Sequence, residues 1–94
     1  MAISKVYASR LFYAEEASQR KVLSQIRKVR DPVERVIDCT IVRMYVPSGQ
    51  VDVIIPDFPS PEGQRLLRQK YRKRGWKRLV FHQDYDKGYW ATVQ

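Results

Sequence analysis

The chain has 94 residues and a mass of 11.2 kDa, enough for one compact α+β domain over residues 1–94 and no second. A hydrophobic content of 44% and an aromatic content of 12% exclude wholesale disorder, and a mean hydropathy of −0.52 without a long apolar run excludes a span of ~20 residues through a membrane. Lysine and arginine number 18 against 10 acids, a formal charge of +8 and a pI near 9.9 that point to an acidic partner.

Residues 3–9 fit two patterns. Val6, Ala8 and Leu11 alternate with polar residues as a strand does, whereas Ile3, Tyr7, Leu11 and Ala14 fit a helical stripe. The alternation favours a short strand. Ala14 to Val29 reads as a helix, with Glu15 and Glu16 in its first turn and Arg27, Lys28 and Arg30 near its end. Asp31-Pro32 stops that helix, because the residue before proline is pushed out of the helical region. Arg35 through Val46 is rich in β-branched residues and reads as a long strand, with Ile37, Cys39, Ile41 and Tyr45 on one face. Pro47-Ser48-Gly49-Gln50 is a turn signal, and Val51 to Ile55 returns as the second strand of a hairpin.

Asp57 to Glu62 leads into a second helix. Ser60 is its expected N-cap, Pro61 its first helical residue, and Leu66, Leu67 and Tyr71 its apolar stripe. Gly75 suits the left-handed position that ends a helix. Trp76 to Gln83 then alternates Leu79 and Phe81 against Arg78, Val80 and His82. Asp84 to Gly88 turns the chain, and Tyr89 to Val93 closes a second hairpin. The expected order is (β)α-ββ-α-ββ, a largely antiparallel sheet with two helices packed on one face.

Catalytic chemistry finds no support in these residues. His82 is the single histidine and has no partners for a metal site. Cys39 lacks a basic or helix-terminal setting that would make it a thiolate. Asp84, Asp86 and Gly88 fall short of a calcium loop, and no glycine-rich run ends in a phosphate-binding Gly-Lys-Ser/Thr. The expectation is a protein that is not an enzyme and needs no cofactor or metal. A lone cysteine and an N-terminus without a secretory layout fit the reducing cytoplasm.

The charge is concentrated. From Gly63 to Gln83 there are eight basic side chains and no acidic one, while the rest of the chain is balanced. Arg65, Arg68 and Arg72 form a stripe at helical spacing beside the Leu67–Tyr71 face, and Lys73 lies toward the other exposed side. Arg74, Lys77 and Arg78 carry the charge through the turn into the next strand. Arginine offers planar multi-donor recognition of phosphate, and lysine a mobile point charge. Trp76 lies among these cations, and with Tyr71, Tyr85, Tyr89 and Trp90 it offers rings for unpaired bases. The commoner use of Trp76 and Trp90 in a small domain is core bulk.

The expected site is therefore Arg65, Arg68, Arg72, Lys73, Arg74, Trp76, Lys77 and Arg78, contacting the phosphate backbone of DNA or RNA. The alternative is a non-enzymatic regulator or inhibitor that docks an acidic protein surface through the same patch or an exposed strand edge. Such an edge also offers a route to a homodimer. Attachment to a membrane is not expected, because the helical stripe is narrow and flanked by arginine.

Overall fold

In the computed structural model, which describes residues 1–47 and 49–94, the order is α1 (Lys5–Phe12), α2 (Glu16–Ile26), α3 (Pro32–Met44), β1 (Val51–Ile54), α4 (Pro61–Lys73), β2 (Leu79–Asp84) and β3 (Gly88–Val93). The class is α+β, with four helices and one antiparallel three-stranded sheet among the described residues. The expected order and two-helix layer are replaced by ααα-β-α-ββ.

Two expected strands are helices. Of residues 3–9, those from Lys5 onward lie in α1, whose N-cap is Ser4; its Oγ accepts from the Tyr7 N–H at 3.0 Å, and Ala8 and Leu11 are buried along one side. The larger correction is Arg35–Val46. Asp31-Pro32 does not only close off what precedes it. Asp31 caps a new helix by accepting from the Val33 N–H at 2.9 Å, and Pro32 takes the first helical position. Val33, Ile37, Ile41 and Tyr45 recur every four residues and are buried together, with Ile37 and Ile41 fully enclosed. Strand propensity spans only ~1 kcal/mol and depends on context, so burial of that stripe outweighs it. Cys39 is accordingly a partly buried residue of α3, with a free thiol.

With Arg35–Met44 helical, the first expected hairpin does not form. Its turn includes Ser48, which lies outside the described residues. β1 pairs with the distant β3 instead, Val51 opposite Val93 and Ile54 opposite Trp90. The second hairpin forms as expected: β2 and β3 pair from Leu79–Val93 to Asp84–Gly88. Asp84 Oδ1 accepts from the N–H groups of Asp86 and Lys87 across the turn, where Gly88 has φ +80°.

The sheet order is β1-β3-β2, so β2 is an edge. Val51, Val53, Leu79, Ala91 and Val93 are buried, while Asp52 and Ile54 face out. α3 packs against α1, α2 and β1, and α4 packs against β2. α4 is capped as expected: Ser60 Oγ accepts from the Gly63 N–H at 3.1 Å, and Leu67 and Tyr71 are its buried residues. After it Gly75 has φ +96°. Trp76 then closes the core, its indole N–H donating to the Ile3 carbonyl at 2.7 Å and its ring meeting Tyr45 edge-on. No helix among the described residues is long and apolar enough to cross a membrane.

Candidate nucleic-acid interface

The basic surface depends on how α4 is held from behind. Two acids of α3, Glu34 and Asp38, sit one turn apart on its buried side, at 2% and 0% exposure. Asp38 Oδ1 accepts from the Tyr71 hydroxyl at 2.6 Å and the Ile3 N–H at 2.9 Å, and Oδ2 accepts from the Ala2 N–H at 3.0 Å. Glu34 Oε1 accepts from Lys70 Nζ at 2.7 Å, and its other oxygen pairs with the Met1 amino group. Together these bonds tie the N-terminal segment, α3 and α4 to one another.

Their titration follows from these partners. Burial pushes Asp38 above the ordinary carboxylate range, and the hydrogen bonds from Tyr71 and Ile3 reduce that shift without cancelling it. Burial pushes Glu34 up as well, but Lys70 and the Met1 ammonium together hold it below its usual value. The hydrogen bond to Glu34 raises Lys70. Burial, then the Asp38 charge, raises the Tyr71 phenol, which stays protonated as a donor. Sequence reasoning missed this cluster because it placed Glu34 before a strand. The usable signal was an acid pair four residues apart, interleaved with Val33, Ile37 and Ile41 at helical spacing.

With Tyr71 and Lys70 turned toward α3, the opposite flank of α4 faces β2. Arg68 links the two. Its Nε donates to the Leu79 carbonyl at 3.1 Å, one terminal nitrogen donates to Gln64 Oε1 at 3.2 Å, and its guanidinium lies 5.6 Å from the centre of the Phe81 ring. Five N–H donors belong to an arginine, so donors remain after these bonds. Between α4 and the start of β2 lies a groove of about 200 Å³. Arg68, Arg72, Lys77 and Arg78 line it, with Tyr71, Trp76 and Leu79 contributing buried ring and aliphatic surface. The backbone at its mouth is fixed, since the N–H groups of Lys77 and Arg78 both donate to the Gln94 carbonyl.

Of the eight residues expected at the site, five therefore converge on this groove: Arg68, Arg72, Trp76, Lys77 and Arg78. Trp76 is only 2% exposed and its N–H is engaged by Ile3, so its ring is wall and not a platform for a base. Arg65 lies apart, paired with Glu62 at 2.9 Å on the exposed side of α4. Lys73 and Arg74 border a different hollow, beside Met1, Ala2 and Lys70. Among the described residues, no carboxylate forms an ion pair with Arg68, Arg72, Lys73, Arg74, Lys77 or Arg78. These like charges repel one another across a short span, and a polyanion relieves that repulsion.

On the open face of the sheet, His82 and Trp90 stack as cross-strand neighbours, with ring centres 4.9 Å apart and planes 19° apart. The Thr92 hydroxyl donates to Asp52 Oδ1 at 2.8 Å, which leaves His82 Nε2 to donate to Thr92 Oγ1 at 3.1 Å. Both imidazole and indole are partly exposed. In comparison with known proteins, the chain matches no family model, no curated protein and no solved structure.

Proposed function

We propose that the protein binds nucleic acid, gripping backbone phosphates in the groove between α4 and β2, and that this binding involves no catalytic step. The observation that carries the proposal is the convergence of Arg68, Arg72, Lys77 and Arg78 on one groove, with no acid paired to them among the described residues. The neutralising contacts of α4 all lie elsewhere: Lys70 with Glu34 and Arg65 with Glu62. The guanidinium donors of Arg68, Arg72 and Arg78 along the groove suit phosphate oxygens.

Titration of mixed-sequence DNA and RNA over a range of salt tests this. If four phosphates are neutralised, the log–log salt slope should lie near about −2.8 to −3.6. Arg72→Glu with Arg78→Glu should flatten that slope and weaken all sequences alike, because phosphate contacts carry no base code. Both side chains are exposed, so the fold should survive the exchange. Absence of wild-type binding at low salt defeats the proposal and reassigns the patch to an acidic protein surface.

A further inference from the structure

The stacked pair on the open sheet face adjoins the basic groove, and the two have complementary chemistry. Among the described residues β2 pairs with β3 alone, and no strand flanks it on the other side. One face of the His82 ring lies against Trp90. Its opposite face is turned away from β3 toward the β2 edge, where α4 brings Arg68 to the Leu79 carbonyl and no further strand follows among the described residues. A shallow hollow on the open face of the sheet is lined by Gln50, Arg78, Val80, His82, Thr92 and Gln94, and the basic groove shares Arg78 and Val80 with it. Arg78, the residue just before β2, stands four residues from His82 along the same run of chain, about 13 Å at Cα. One strand of nucleic acid can touch both.

We infer that the free face of His82 receives a nucleobase, extending the Trp90–His82 stack by one ring, so that the nucleic acid bound is single-stranded or presents an unpaired base. This inference rests on the nucleic-acid reading above and narrows its substrate class. A paired base has both faces occupied by its neighbours and reaches a protein ring only after leaving the helix. A stacked His82 is well suited to the task. The Trp90 ring behind it and the hydrogen bond to Thr92 fix its orientation before a base arrives, so little side-chain freedom is lost on binding. Stacking is tolerant of sequence, in keeping with phosphate contacts in the groove that also carry no base code.

The test compares oligothymidylate, oligouridylate, an abasic strand and a duplex, each of about twelve nucleotides, by fluorescence anisotropy at one low salt concentration. Wild-type protein should bind the strands with bases about tenfold or more tighter than the abasic strand, and the tighter of the two identifies DNA or RNA. His82→Ala should reduce that ratio to near one. His82→Phe loses the bond to Thr92 but keeps a flat ring, so it should restore the ratio. Arg72→Glu should weaken every ligand and leave the ratio unchanged. Equal wild-type affinity for base-bearing and abasic strands overturns the stacking inference while the phosphate groove stands. So does a folded His82→Ala, or a folded His82→Phe, whose ratio behaves otherwise than stated. Failure to bind any of the four ligands defeats the nucleic-acid reading itself.

Discussion

Replacing Tyr71 by phenylalanine removes one oxygen from the largest fully enclosed side chain of the protein. That hydroxyl donates to Asp38 Oδ1 at 2.6 Å, the shortest of three hydrogen bonds held by this carboxyl. A hydrogen bond to a charged group contributes about 1.5–3 kcal/mol, and phenylalanine recovers a little by having no hydroxyl to desolvate. We expect a loss of about 2 kcal/mol near neutral pH, which lowers the Tm of a domain of this size by roughly 8–16 °C. The loss depends on pH in a predictable direction. Asp38 is raised by burial in the folded protein, so its contribution is fully present below its unfolded value and is lost as pH rises through the folded one. Deleting the Tyr71 donor raises the folded value further. The deficit of Tyr71→Phe should thus be smallest near about pH 4 and grow toward pH 7. Urea unfolding of both proteins across that range measures it. A deficit below about 0.5 kcal/mol, or one that does not change with pH, would refute the role given to this hydrogen bond.

Two further substitutions probe the frame behind the basic groove. Glu34 is held below its ordinary value by Lys70 and the Met1 ammonium despite its burial, so its contribution is present above the unfolded value and lost as pH falls through the folded one. Glu34→Gln should therefore cost about 1–3 kcal/mol at pH 7, and chemical unfolding should show the difference shrinking below about pH 4.5. Gly75→Val should cost more than about 1 kcal/mol in the same assay, because Gly75 has φ +96° and a β-branched residue resists that conformation. Space is not the obstacle there, since an added Cβ meets Lys5 Cβ at 3.5 Å, and unchanged stability would show that the strain is absent.

Local sequence determined the second half of the chain. Ser60 and Pro61 start α4, the Leu67–Tyr71 face buries it, Gly75 takes the left-handed conformation after it, and Asp84 to Gly88 turns β2 into β3. Each of these features acts within a few residues, so composition and spacing suffice to read it. The concentration of cations between Gly63 and Gln83 is likewise plain from sequence. Its division was not. Only the packing of α4 between α3 and β2 decided that Lys70 joins Glu34, that Arg65 stays with Glu62, and that Arg68, Arg72, Lys77 and Arg78 share a groove.

The first half shows where local signals stop. Residues 35–46 satisfy strand propensity and a helical stripe at once, and preferences worth ~1 kcal/mol cannot separate them. What separates them is the burial of Ile37 and Ile41 beside Ile26, together with partners for Glu34 and Asp38 supplied from Met1, Ala2, Ile3, Lys70 and Tyr71. Those partners lie more than thirty residues away in the chain. The pairing of β1 with β3 is of the same kind, since Val51 opposite Val93 is a contact that no turn near either residue encodes. Desolvation of a carboxyl and closure of a sheet depend on groups brought together by the whole fold, which is why tertiary structure alone decided them.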